Sequence, residues 1–239
     1  MSRAEQATSN KSFFKIVEGS FRRSVPAGTP DAIERAWTAG GKTGTAIEVE
    51  YKHLFGFVRN VEFYEGEGDN GKYTNLNLVL DEDEETGRIP VISVGVDTKY
   101  ARDIMHKLPN IDLEKDVRIR PFSFVPEGED KAVTGVEIMQ RDSIDKFTKK
   151  VESFFFKKEG EKSVEVNGFP KREKPYDEQS KAEREISKIL RNEFLANYTR
   201  ENIIPKFNVS LRPPQSLEEQ MERQGNYPTE EIDPSEIPF

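Results

Sequence analysis

Residues 116–125 read Asp-Val-Arg-Ile-Arg-Pro-Phe-Ser-Phe-Val, and alternate positions differ in kind. Val117, Ile119 and Val125 share one parity; Arg118, Arg120, Phe122 and Phe124 share the other. Successive side chains of a strand point to opposite faces. One face of this strand is therefore apolar, and the other carries two guanidinium groups followed by two rings. Cations that follow phosphates and flat rings that stack on bases are what binding a nucleic-acid strand without regard to sequence requires. Similar groups recur elsewhere. Around Gly56, Phe55, Phe57 and Arg59 share a parity, with Leu54 and Val58 on the other as core residues. Tyr73, Asn75 and Asn77 alternate with Leu76, Leu78 and Leu80, which places two amides and a phenol opposite an apolar face. Phe21-Arg22-Arg23 adds a ring and two charges, and Lys42 and Lys52 are further candidates for phosphate contact, although a lone lysine is more often plain surface. Phe154-Phe155-Phe156-Lys157-Lys158 is another aromatic and basic run, more readily explained as core because its rings fit helical spacing with Ile144, Phe147 and Val151.

Catalytic patterns are weaker. Asp81, Glu82, Asp83, Glu84 and Glu85 could hold a divalent cation for a nuclease, but they fall in a hairpin turn without a supporting His or Lys. The glycine-containing runs GDNGK and GGKTGT lack phosphate-loop spacing and a helix to receive the phosphate. His53 and His106 are the only histidines, and there is no cysteine. Disulfides and thiolate zinc sites are thereby excluded. The expectation is a binding protein rather than an enzyme, with no metal or cofactor.

The chain has 239 residues, of which 34% are hydrophobic and 33% charged, with a net charge of −8. That negative total argues against a nucleic-acid partner until it is divided along the chain. Residues 213–239 hold seven acids and one base, Arg223. Residues 1–60 and 141–212 are each net positive, and the acids of residues 61–140 cluster in apparent loops. No stretch reaches the length of a membrane span, and no signal-peptide pattern opens the chain.

The elements that must position these residues follow from pattern. Residues 12–23 look extended. Thr29-Pro30 reads as a helix N-cap followed by proline at the first helical position, opening a short helix over DAIERAWTA that Gly40-Gly41 ends. Residues 45–64 read as a long strand bent at Gly56, residues 73–80 as a second, residues 89–96 as a third. Asp97-Thr98 caps a helix over 98–108 with Tyr100, Ile104, Met105 and Leu108 as its apolar stripe. Residues 116–125 and 131–140 form a hairpin. Residues 177–203 read as an amphipathic helix with Ala182, Ile186, Ile189, Leu190, Phe194 and Tyr198 on one face, packing on the body or on another subunit. From Pro213 the composition is that of a disordered tail. The expected divisions are an N-terminal extension (1–44), a barrel (45–141), a helical region (142–212) and an acidic tail (213–239).

The order strand, strand, strand, helix, strand, strand, with a bent first strand, resembles the five-stranded OB fold. This makes the expected class mainly β, α+β. The last residues include Glu230, Glu231, Asp233 and Glu236 and close in Ile237-Pro238-Phe239. An acidic segment ending in Ile-Pro-Phe resembles the tail tip of bacterial single-stranded-DNA-binding proteins, and acidic tails ending in an aromatic residue resemble those of tailed-bacteriophage proteins of this kind. The phrase YARDIMHKLPNIDLEKDVRIRPFSF is similar to that of small phage-encoded OB proteins. The resemblance implies a non-catalytic factor in DNA replication, recombination and repair, in the cytoplasm of a bacterial host. It would coat single-stranded DNA and recruit a polymerase, helicase, primase or nuclease through its tail. The zinc-containing phage type is ruled out by the lack of cysteine. Two alternatives stand beside it: a protein-interaction adaptor that does not touch nucleic acid, favoured by the acidic turns EGEGDNGK and PEGEDK, and a metal-dependent nuclease using Asp81, Asp83 and Glu85.

Overall fold

A computed structural model describes residues 10–210, except residues 40, 69–70, 144–145, 161 and 173. The chain forms β1 (Lys11–Val17), β2 (Ser20–Ser24), β3 (Ile33–Ala39), β4 (Lys42–Tyr51), β5 (Leu54–Gly56), β6 (Val58–Gly68), β7 (Gly71–Leu80) and β8 (Ile89–Gly95). Next come α1 (Lys99–Lys107), β9 (Val117–Phe124), β10 (Val133–Ser143), β11 (Lys146–Lys150), β12 (Phe156–Glu159), β13 (Lys162–Glu165), α2 (Lys181–Tyr198) and α3 (Ile204–Ser210). The protein is mainly β with helices added, the α+β class that the pattern predicts. One sheet runs β3-β4-β2-β1-β8-β7-β6, a second runs β11-β10-β9-β5, and β12 pairs with β13 alone. No helix among the described residues is long and apolar enough to cross a membrane.

The two sheets share one bent stretch of chain. β5 pairs with β9, and after Phe57 the chain continues as β6 against β7. Gly56 makes the bend at φ 141°, and Asp81 fixes it by accepting the Phe57 backbone N–H at 2.8 Å. A side chain at Gly56 would collide with that carboxylate. Leu54, Val58, Val61, Leu76, Leu78 and Leu80 point inward from this stretch and β7, as their alternation requires.

Closure into a barrel is not seen among the described residues: β8 has no ladder to β10. β8 pairs instead in parallel with β1, from Lys11↔Ile89 to Phe14↔Ile92. Residues read as a peripheral extension thus lie within the larger sheet. The first half of β10, beyond the residues that β11 pairs, meets α1. The Val136 N–H donates to Asp103 at 2.6 Å, and the Lys107 ammonium donates to the Val136 carbonyl. At the other end of the gap the β1–β2 turn touches β9. Gly19, at φ 83°, lies so close that an added Cβ would sit 2.9 Å from the Phe122 carbonyl carbon. Its N–H donates to the Tyr100 hydroxyl at 3.0 Å.

Four elements differ from the reading of the sequence. The segment read as a helix from Thr29-Pro30 is β3, paired along its length with β4. What makes it a strand is this ladder: Trp37 lies across from Gly44, where the missing side chain leaves room for the indole. The long strand read over 45–64 is three strands, its first part belonging to β4 between β2 and β3. Residues 146–150, read as helical through Phe147, form β11 on the edge of β10; Ile144 lies outside the described residues. Helix α2 begins later than residue 177. Ser180 caps it, accepting from the Glu183 N–H at 3.2 Å while Glu183 accepts from the Ser180 N–H at 2.7 Å, the reciprocal capping box. That N–H, foremost, and Lys174 hold the Glu183 carboxyl down to about 2. One π-helical turn, Thr199–Ile203, joins α2 to α3, just ahead of Pro205, which lacks a helical donor.

The C-terminal elements attach through aromatic rings. Phe155 is fully buried, with Phe154 at 5.1 Å, Phe169 at 5.4 Å, Phe194 at 5.5 Å and Tyr198 at 5.0 Å between ring centroids. Phe154 and Phe156 are partly buried, so none of the three consecutive rings is exposed. His106 of α1 meets this cluster, 5.0 Å from Phe169 and 5.1 Å from Phe156. Burial, against a pull from Asp103 and aided by Arg191, Lys107 and Arg102, holds its imidazole down to about 4. The folded state therefore keeps this ring neutral. Its contribution to stability is whole above the unfolded value of 6.5 and is lost as pH falls through about 4, on the order of 3 kcal/mol in all. His106→Phe keeps the ring and removes the proton site. In urea melts at fixed pH, the gap between wild type and H106F is expected to shift in favour of the variant between pH 6.5 and 4. A gap independent of pH would remove this assignment.

Candidate nucleic-acid interface

β9 carries the parity expected of it without a break. Its ladder with β10 runs unshifted from Val117↔Gln140 to Val133↔Phe124, so Pro121 introduces no bulge. Val117, Ile119 and Pro121 are buried, whereas Arg120 and Phe124 are exposed and Arg118 and Phe122 half-buried. Val125, read as core, is instead 57% exposed, because the strand ends at Phe124 and the chain turns away.

The flanking strands extend this face. The ladders place Phe55, Arg118, Met139 and Lys150 in one row across the sheet. In the next row Arg120 faces Glu137 and pairs with it at 3.1 Å. Phe122 and Phe124 follow, their centroids 6.1 Å apart, opposite Gly135 and Val133. Phe55 is 54% and Phe124 55% exposed, a large apolar area to leave in water on a strand face. Phe147 from β11 joins the patch, 5.6 Å from Phe55, with Arg118 at 5.9 Å and Arg141 at 4.8 Å from its ring. Arg141 is held by Asp116, its Nε 2.9 Å from each carboxylate oxygen. A groove of about 830 Å³ runs over Lys52, His53, Arg120, Phe122, Phe124 and Lys150. Partial burial, then Arg118 and Arg120, push the His53 imidazole below its ordinary value.

Phe147, Met139, Arg141, Lys150 and His53 were missed in the sequence. For β11 the signal lay in Lys146-Phe147-Thr148-Lys149-Lys150, a short polar run with one ring, but the spacing of Phe147 to Val151 and Phe154 pointed to a helix.

Other expected contacts fall elsewhere. Phe21 is fully buried in the core, because its parity on β2 faces inward. Arg22 is buried to 9% exposure and neutralised by Glu18 at 2.8 Å and Glu50 at 3.8 Å. Arg23 lies 5.9 Å over both the Phe14 and Tyr51 rings and donates to the Tyr51 hydroxyl at 3.2 Å. None of these three presents a free face to a strand of nucleic acid. Phe57 is half-buried with Arg59 4.8 Å over its ring, and Arg59 also reaches Asp81 at 3.8 Å. Tyr73 is exposed beside Tyr64 at 6.2 Å, but it belongs to the larger sheet. Asn75 donates to the Ser93 hydroxyl at 3.1 Å. Asn77, expected on an open face, is 4% exposed, enclosed between Glu62 of β6 and Ser93 of β8. Lys42 and Lys52 are exposed.

The acidic turn after β7 is built for shape. Asp83 accepts from the Thr86 N–H at 2.8 Å and its hydroxyl at 2.7 Å, which lowers its pKa, and Asp81 serves the bend at Gly56. Glu230, Glu231, Asp233, Glu236, Ile237, Pro238 and Phe239 lie outside the described residues.

Comparison with protein-family models, with curated proteins and with solved structures gives no match for this chain.

Proposed function

We propose that this protein binds single-stranded DNA without sequence preference, through the outer face of the β11-β10-β9-β5 sheet. The observation that carries the reading is the row Phe55, Arg118, Met139, Lys150 with Phe122 and Phe124 beside it. Rings and cations alternate there on an open sheet face, the combination that lets phosphates and bases be held together. An OB-type scaffold is supported by the bent β5–β6 stretch that serves both sheets and by the helix between β8 and β9. On this reading the β1–β2 hairpin occupies the edge of β8 where such a barrel would close.

The protein acts as a non-catalytic factor in replication or recombination, coating exposed strands. Its acidic tail, by composition and by the Ile237-Pro238-Phe239 terminus, recruits replication enzymes, the ring filling an apolar pocket and the carboxylates meeting basic rims. Fluorescence anisotropy with labelled oligo-dT of about thirty nucleotides, over a salt series and with duplex competitor, tests the binding. Tight association that weakens steeply with salt and resists duplex is expected. Deleting residues 226–239 should strengthen binding at low salt, because a tethered polyanion competes for the same cations. An absence of binding at low salt by full chain and deletion alike would sink the reading. A protein-interaction adaptor is then the better one, favoured by Ile186, Ile189 and Leu190. These α2 side chains are 58%, 61% and 54% exposed, although the sequence placed them on a packing face.

A further inference from the structure

A second concentration of positive charge lies away from the sheet face. A cleft of about 630 Å³ opens between α1, α2 and the loop that follows β13, lined by Lys99, Arg102, Arg172, Arg184, Lys188 and Arg191. Some of these cations have structural duties. Arg191 is buried, pairs with Glu165 at 3.1 Å and lies 4.4 Å over the Phe169 ring. Lys188 reaches Glu185 at 3.6 Å. Lys99, Arg102 and Arg172 form no salt bridge among the described residues. Arg102 is half-buried, and burial, against the attraction of Asp97, pushes its guanidinium below its ordinary value. Burial does the same to Arg191, against its bond to Glu165, and repulsion from Arg172 and Arg102 adds to it.

Two physical costs are built into this arrangement. Six cations gather around one cavity against two carboxylates, Asp103 and Glu185, and each cation raises the energy of the next. Lys99 and Arg102 also occupy the first turn of α1, which contains no acid. The N-terminal end of a helix is its positive end, where stability alone selects Asp or Glu. A ligand anion relieves both. An aromatic group stands at the same site: Tyr176 is 55% exposed, with the Arg184 and Arg172 guanidinium carbons 4.6 Å and 5.3 Å from its ring. The cleft also adjoins the sheet-face groove. Asp103 lines both, and Gly135 lies so close to Phe122 and Asp103 that an added Cβ would be 2.7 Å and 2.8 Å from them.

We propose that this cleft is a second phosphodiester-binding site, which takes the continuation of the same nucleic-acid strand after it leaves Phe122 and Phe124. The inference rests on the sheet-face reading and extends it. Arg102, Lys99 and Arg172 hold backbone phosphates, and Tyr176 offers a stacking surface for a base.

The test compares wild type, a cleft variant (K99Q/R102Q/R172Q) and a sheet variant (R118Q/R120Q), each first shown to keep the wild-type melting temperature. Oligo-dT of about eight and about thirty nucleotides brackets the length that one OB-type face covers, roughly 4–16 nucleotides. The sheet variant should weaken on both lengths. The cleft variant should bind the short oligo within about twofold of wild type and the long one at least about tenfold more weakly, its salt slope shallower by roughly 2, about 0.7 for each phosphate lost. Equal affinity and slope on the long oligo overturn the second site and leave the sheet face standing. An equal loss on both lengths overturns the extension, since the cleft would then be the primary site. Unchanged oligo binding with loss of poly-glutamate binding overturns the nucleic-acid assignment in favour of an acidic protein partner. Wild type that binds neither oligo overturns both readings.

Discussion

Phe122→Ala combined with Phe124→Ala is expected to lower affinity for oligo-dT by about 100-fold while leaving the melting temperature nearly unchanged. Stacking of a base on an aromatic side chain is worth ~1–3 kcal/mol per base, and two rings are removed, so about 2.7 kcal/mol is a moderate estimate. The structural cost is small because Phe124 is 55% exposed and Phe122 is only half-buried, its ring resting on Gly135, which offers no side chain, and beside Phe124. The loss should appear at every salt concentration, since neutral groups are deleted and the salt slope reports phosphates. R118Q/R120Q should do the opposite, flattening the slope and costing most at low salt. A double phenylalanine variant that binds as tightly as wild type would remove β9 from the binding surface.

Phe155→Ala should have the largest effect on stability, about 3–5 kcal/mol. Its ring is fully buried and meets Phe154, Phe169, Phe194, Tyr198 and His106. The contacts come from α1, from the loop after β13 and from α2 as well as from its own neighbour, so the vacated space cannot be refilled by one side chain moving. At ~2–4 °C per kcal/mol for a body of this size, the melting temperature should fall by roughly 10 °C or more. Phe55→Ala, which removes an equally large but exposed ring, is the control and should change it by a degree or two at most. Similar losses for the two variants would mean that α2 is not held by this cluster.

These contrasts show what local pattern can carry. The alternation of β9 and β7 and the apolar stripe of α1 were legible because each is written into adjacent residues: Ile104, Met105 and Leu108 are buried as their spacing requires. β3 was misread because Thr29-Pro30 imitates a helix start, and what makes it a strand is β4, a partner that propensity does not see. The burial of Asn77 and Arg22 was likewise invisible. Both sit at outward parity, and only the neighbouring strands decide whether outward means solvent. At the interface, Arg118, Arg120, Phe122 and Phe124 could be found in one strand, whereas Phe147 and Lys150 needed a register across β10 and β11.

The parallel pairing of β1 with β8 sets the order of assembly. Phe13 and Phe14 find Val91 and Ile92 only after those residues have left the ribosome. Until then the first strands to be synthesised wait with an unpaired edge and exposed rings, a state that invites chaperones and wrong partners. Pairings so distant along the chain slow the search for the native state. The N-terminal strands are thus made first and placed late.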